Sequence, residues 1–309
     1  MKQWVKRSAA ALLASVLLLG GCSSAPNQPA NEPEQSGGAN SGASASVGEQ
    51  VGYKIIGIDP GAGLMTATEK AIQKYGLDKW ELVEGSSAAM TAALKDAYDK
   101  KKPIIITGWS PHWMFSKFDL KYLDDPKGVY GAAEQIHTIV RKGLKEDQPS
   151  AYAFLDNFNW KPSDMEDVML EIENGKDPEQ AAADWVKNHE EQVNKWVEGI
   201  EPVSGQKVTL AYVAWDSEIA STNVVAEVLK QKLGYEVELS QVEAGPMWAG
   251  VANGDVDGMV AAWLPTTHQE YVKQLDGKFE DLGVNLDGTK LGLVVPSYMD
   301  VSSIEDLKK

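Results

Sequence analysis

PIIITGWSPH (Pro103 to His112) and MVAAWLPTTH (Met259 to His268) are the two stretches whose reading decides the fold. Each opens on an unbroken apolar run, Pro103 to Ile106 or Met259 to Ala262, and a short apolar run bounded by turn residues reads as a strand buried on both faces. Each run ends on a similar signature, Gly108-Trp109-Ser110-Pro111 in one and Ala262-Trp263-Leu264-Pro265 in the other. Upstream the likeness continues. Lys54 to Ile58 and Lys207 to Val213 are strand-like; turns follow at Asp59-Pro60-Gly61-Ala62-Gly63 and at Ala214-Trp215-Asp216-Ser217. A helix comes next in each, with Ala67, Ala71 and Ile72 or Val225, Val228 and Leu229 on its apolar stripe, closed by Gly76 or Gly234. Second strands at Glu81 to Val83 and Val237 to Leu239, then short helices near Met90 and Met247, complete the pattern. The opening lysine precedes its tryptophan by 55 residues in the first copy and 56 in the second. A duplicated βαβαβ unit predicts an α/β protein of two lobes.

Between the copies, residues 125 to 200 read as helical, with Met165, Val168, Met169 and Ile172 at helical spacing. This segment is expected to decorate the first lobe. Leu291 to Pro296 is strand-like and placed to cross between the lobes at a hinge. The expected organisation is a first lobe over 51–203 with the helical insertion, a second over 204–297, and a tail over 298–309 that returns to the first lobe.

The amino-terminal stretch reads as a signal peptide over 1–21: Lys2, Lys6 and Arg7, an apolar run from Ala9 to Leu19, then small residues before Cys22. Cys22 is the sole cysteine of the chain. Directly after those residues it has the lipobox arrangement, so its thiol is expected to carry a diacylglyceryl anchor. Residues 22–50, rich in Ser, Gly, Ala, Asn, Pro, Gln and Glu, read as a flexible tether with too little apolar surface to repay ordering. The expected location is extracytoplasmic, attached to the cell membrane by lipid.

Net charge is −16, and no lysine cluster is flanked by an aromatic platform, which excludes a nucleic-acid partner. Four histidines and one cysteine make a thin ligand set for metal. No HExxH, GxSxG, CxxC or P-loop spacing is present. Gly57-Ile58-Asp59-Pro60-Gly61 resembles the first strand of some nuclease and actin-like folds, but nothing else supports a metal-dependent enzyme. No cofactor, metal or catalytic residue is expected.

In open α/β sheets ligands bind beyond the carboxyl ends of the strands. Trp109, Trp215 and Trp263 fall at such ends, whereas Trp80, Trp160, Trp185 and Trp196 sit where packing explains them. An indole face is electron-rich, and several around one point form a cage for a quaternary ammonium group. A sugar would also stack on tryptophan but would need a denser ring of polar groups than Asp216, Glu218 and Asn223 supply. If the ligand also carries a carboxylate, the backbone N–H groups of the Gly61–Leu64 turn, at a helix start, suit it. His268 or His112 offers a side-chain donor, and residue spacing leaves the choice open.

GIDPGAGLM (Gly57 to Met65), PIIITGWSPHWMF (Pro103 to Phe115), LAYVAWDSEIASTN (Leu210 to Asn223), VEAGPMW (Val242 to Trp248) and AWLPTTH (Ala262 to His268) resemble the substrate-binding lipoproteins of glycine betaine ABC transporters in Gram-positive bacteria. The resemblance covers essentially the whole mature chain. It implies a type II periplasmic-binding-protein-like fold that closes by a hinge, with the half-domain order apparently permuted, and no chemistry performed. It further implies a cage of Trp109, Trp215 and Trp263 and a carboxylate held by Gly63 N–H, Leu64 N–H and His268. The implied partners are the ABC permease's transmembrane subunits and a methylated ligand: glycine betaine, choline, carnitine, proline betaine or a sulfonium analogue.

Overall fold

The computed structural model describes residues 45–309; the expected signal peptide, the Cys22 anchor and most of the expected tether lie outside the described residues. The first half contains α1 (Val47–Val51), β1 (Lys54–Ile56), α2 (Gly63–Tyr75), β2 (Glu81–Val83), α3 (Ser87–Asp99), β3 (Ile106–Ser110), α4 (Met114–Lys117) and β4 (Leu120–Tyr122). The second contains β5 (Glu134–Arg141), α5 (Leu144–Asp147), α6 (Pro149–Asn157), α7 (Pro162–Glu173), α8 (Pro178–Asn188) and α9 (Glu190–Trp196). It continues with β6 (Lys207–Tyr212), α10 (Asp216–Gln231), β7 (Glu236–Gln241), α11 (Ala244–Asn253), β8 (Gly258–Leu264) and α12 (Gln269–Gln274). Strand β9 (Phe279–Pro296) joins the halves, and a 3-10 turn at Ile304–Lys308 ends the chain.

The duplication is visible in the strand order, β2-β1-β3-β9-β5-β8-β6-β7, with β4 also on β9. In each half a central strand pairs in parallel with two others, β1 with β2 and β3, β6 with β7 and β8. An antiparallel strand then closes the inner edge: β9 beside β3, and β5 beside β8. The two closing strands pair with each other. Strand β9 is long enough to serve both halves, running along β5 from Phe279 to Thr289 and along β3 from Lys290 to Val294. The crossing between halves thus falls at Thr289–Lys290, just before the expected segment, and Leu291 to Pro296 lie beside β3 and β4 of the first half. Local chemistry sets the element ends: Gly76, at φ 63, takes the left-handed conformation that closes α2, where a side chain would be strained.

Three expectations from the sequence are corrected here. Residues 46–50 are not tether: Ser46 accepts the Glu49 N–H and Glu49 accepts the Ser46 N–H, a reciprocal capping box that starts α1. Residues 125–200 are not helical throughout, because β5 occupies Glu134–Arg141. Nor do α6 to α9 decorate the first half. Helices α7 and α8 lie against α10, and α6 against β5 and β9, so the boundary is not at 203/204. The chain enters the second half between β4 and β5 and leaves it within β9. The physical reason is α10, buried on nearly every face, which needs cover on the side turned away from the sheet. The carboxyl-terminal turn packs on α1 and α2, and Trp80 Nε1 donates to the Leu307 carbonyl at 3.1 Å.

Candidate functional site

The parallel strands of the two halves direct their carboxyl ends at one cleft, and the duplicated tryptophans arrive there from both sides. Trp109 is the penultimate residue of β3, opposite Leu291 of β9. Trp263 is the penultimate residue of β8, opposite Ile136 of β5. Both were expected beyond their strands but lie within them. Ile105, expected in the third strand, instead precedes β3, although its carbonyl accepts the Ile56 N–H at 2.9 Å. Trp215 is the N-cap residue of α10. The three are 3–5 % exposed and line one small cavity, together with Ile58, Ala62, Leu64, Ser217, Thr267 and Leu291. No carboxylate or ammonium is among these lining residues, so the chamber is an aromatic and aliphatic one with two hydroxyls at its wall. The Thr267 hydroxyl is already bonded to Glu134, whereas the buried Ser217 hydroxyl has no partner among the described residues.

The other polar groups are at the entry of α2 and at His268. Gly63 and Leu64 open α2, and neither N–H has an acceptor among the described residues, as helix geometry requires of a first turn. Gly63 abuts Thr267 of the second half so closely that a Cβ there would overlap the Thr267 carbonyl; only glycine permits this approach. His268 is fully buried. Its Nδ1 accepts the Trp263 N–H at 3.1 Å, so the neutral ring carries its proton on Nε2, and Nε2 has no partner among the described residues. Burial pulls the His268 pKa down to about 3, which keeps the ring uncharged and leaves one N–H donor uncommitted. The His268 ring is stacked on that of Trp215, with centroids 6.2 Å apart. His268 is not itself among the lining residues, but its ring partner Trp215 and its chain neighbour Thr267 are.

His112 is placed differently. Its Nδ1 accepts the Met114 N–H at 3.1 Å, and its Nε2 faces the Asp216 carboxylate of the other half at 3.5 Å. Sequence spacing does not separate the two histidines, and their surroundings differ. Asn223, a polar group that left room for a sugar, spends its amide on the Ile219 carbonyl one turn back at 2.8 Å. Glu218, next to the cavity-lining Ser217 in the chain, is buried. Burial pushes its carboxyl well above the usual range, opposed by the Val213 N–H and the Trp263 indole. Its Oε2 is 3.4 Å from the Val213 nitrogen, while Oε1 and Trp263 Nε1 close no hydrogen bond of good geometry.

A family model described as the substrate binding domain of the ABC-type glycine betaine transport system matches residues 36–188 and 206–309. The chain belongs to that family. Its members are transport binding proteins, not enzymes, and the fold is correspondingly the two-lobed α/β one. The chain is 60 % identical over 269 residues to the glycine betaine/carnitine transport binding protein GbuC of Listeria monocytogenes serotype 1/2a (strain 10403S), across 86 % of this chain and 89 % of that protein. Among solved structures it is similar to lactococcal OpuAC in its closed-liganded conformation complexed with glycine betaine. The identity there is 57 %, with a TM-score of 0.47 over 48 % of this chain and 59 % of that one. It is also similar to the glycine/betaine/L-proline-binding protein ProX from Borrelia burgdorferi. That match is 36 % identical with a TM-score of 0.46, over 49 % of this chain and 58 % of that one. Both structural matches therefore span less than two thirds of the solved chains.

Proposed function

We propose that the cavity captures glycine betaine, or a closely related methylated ammonium compound, and that the protein delivers it to the membrane subunits of an ABC importer. The observation that carries this reading is the convergence of Trp109, Trp215 and Trp263 on one chamber whose lining holds no carboxylate. A trimethylammonium group has no N–H to donate, so a carboxylate would gain only a charge interaction there. Indole faces supply their attraction without desolvating an anion, about 0.5 to 2 kcal/mol per contact. The ligand carboxylate is assigned to Gly63 N–H, Leu64 N–H and His268 Nε2–H, three donors without partners among the described residues. A neutral histidine suits this role, because it donates without adding a cation beside the ammonium. The 60 % identical Listeria protein is named for glycine betaine and carnitine, which makes carnitine the first competitor to test.

Cys22 is the proposed site of lipid attachment, with residues 23–45 as the tether that leaves the two lobes free to meet the permease outside the membrane. Among the described residues no helix is long and apolar enough to cross a membrane.

The test is calorimetric titration of the purified protein with glycine betaine, carnitine, choline, unmethylated glycine and maltose. Saturable binding of glycine betaine, silent glycine and maltose, and loss of at least tenfold in affinity in Trp263→Ala are expected. Equal binding of glycine and glycine betaine would refute the cage. Choline binding as tightly as glycine betaine would refute the assignment of Gly63, Leu64 and His268 to a carboxylate.

A further inference from the structure

The turn after the first strand of each copy carries an aspartate, Asp59 after β1 and Asp216 after β6, and each reaches across the cleft to an indole of the other half. Trp215 Nε1 donates to Asp59 Oδ2 at 2.9 Å. Trp113 Nε1 donates to Asp216 Oδ1 at 2.7 Å. The second crossing is the richer one, because Asp216 Oδ2 also accepts the Ser87 hydroxyl at 2.6 Å and has His112 Nε2 at 3.5 Å. Since His112 Nδ1 accepts a backbone N–H, the neutral ring bears its proton on the nitrogen turned to Asp216. Ser87, His112 and Trp113 all belong to the first half, and Asp216 opens α10 of the second.

We infer that Asp216 is a positioning residue for ligand capture: its carboxylate latches the two halves in the closed arrangement through Ser87, Trp113 and His112, and so slows ligand escape. When the halves part, the carboxylate, its two hydrogen-bond donors and the neighbouring His112 return to water, so the contacts favour the closed form alone. Burial raises the Asp216 pKa, but the nearby His112 imidazole, with the Ser87 and Trp113 donors, more than offsets this and holds it at about 2. The acceptor is therefore anionic across the physiological range, and hydrogen bonds to a charged acceptor are the stronger kind. Asp216 sits between Trp215 and Ser217, both of which line the cavity. Ligand in the cage and donors on Asp216 consequently act on one equilibrium, the closing of the cleft, and each favours the other.

This inference rests on the betaine-binding reading above. The test is stopped-flow indole fluorescence with glycine betaine on the wild-type protein, Ser87→Ala, Asp216→Asn and the double variant. Asp216→Asn is expected to dissociate about 10-fold faster or more, from the loss of charge-assisted hydrogen bonds, with association changed less than about 3-fold. Ser87→Ala, which removes one hydroxyl at the start of α3, is expected to dissociate a few-fold faster. The double variant should be no faster than Asp216→Asn, because both changes break the same contact. Dissociation of both single variants within twofold of wild type, or fully multiplicative effects in the double, would overturn the latch while leaving the ligand assignment standing. Absence of any betaine signal in the wild type would overturn the ligand assignment, and the latch with it. Should Asp216→Asn fold poorly, Ser87→Ala decides alone, since an unchanged dissociation rate there removes the catch.

Discussion

Gly63→Ala should weaken ligand binding while leaving the free protein at least as stable as before, and the opposite signs make it a sharp test. Gly63 is the first residue of α2 and adopts no left-handed conformation, so alanine suits the helix itself. In the unfolded chain alanine has less freedom to lose, which stabilises by about 0.4–1 kcal/mol at compatible positions. Across the cleft the situation reverses. A Cβ on residue 63 would overlap the Thr267 carbonyl oxygen and stand 2.7 Å from both its carbonyl carbon and its Cγ2. Thr267 cannot easily withdraw, since its N–H donates to Glu134 Oε1 at 2.7 Å and its hydroxyl is bonded to the same carboxylate. Relief must come from incomplete closure, at the cost of overpacking in a tight site, about 1–3 kcal/mol. That corresponds to an affinity loss of about 5- to 150-fold. The backbone N–H that is assigned to the ligand is retained in the variant, so loss of a donor does not explain the effect. Calorimetric titration with glycine betaine and thermal unfolding of the ligand-free protein measure the two quantities. Affinity within twofold of wild type would refute the idea that the Gly63–Thr267 approach is part of the ligand-bound state; a lowered melting temperature would refute the assumption that the strain is confined to closure.

Two further predictions concern buried titratable groups. The folded pKa of His268, about 3, lies below its ordinary value near 6.5, so its contribution to stability is complete above pH 6.5 and is lost as pH falls. Between pH 6.5 and 5 this one group should remove about 1.5 kcal/mol, and urea unfolding of His268→Asn should lack that share of the pH dependence. Glu218 behaves in the opposite sense. Its folded pKa is raised by burial, so unfolding releases its proton and stability is lost as pH rises above the ordinary carboxyl value. Glu218→Gln is therefore expected to raise the melting temperature at pH 7–8 and to give no gain at pH 4; a gain equal at both values would show that the carboxyl is ionised in the folded protein.

Much of the fold was legible because the chain states it twice. The runs at Lys54 and Lys207, the closing glycines Gly76 and Gly234 and the paired tryptophan signatures each obey a local rule, of strand pattern, helix cap or turn chemistry. Their recurrence at nearly equal spacing fixes two βαβαβ units. What was missed has no such local mark. Strand β5 reads Glu-Gln-Ile-His-Thr-Ile-Val-Arg, five of eight residues polar, and it is a strand because β8 and β9 supply the hydrogen bonds on its two edges. The placement of α7 and α8 was equally silent, since an amphipathic helix states that it has a buried face without stating what covers it.

The site divides along the same line. By itself the sequence determined which chemistry was available: three indoles at duplicated strand ends, a glycine-rich helix start and a histidine near the second signature. Aromatic and glycine identity at a strand end is a local property, and it can be read locally. Only the tertiary structure decided which partners these groups have. It turned His112 toward Asp216 and left His268 with a free N–H; it set Trp215 against Asp59 and Trp113 against Asp216. Those partners are separated by more than a hundred positions or lie on opposite halves, and no periodicity links them. They meet because β9 and the β4–β5 connection bring two independently patterned units face to face, and the pairing across that cleft is a property of the closed molecule, not of either unit.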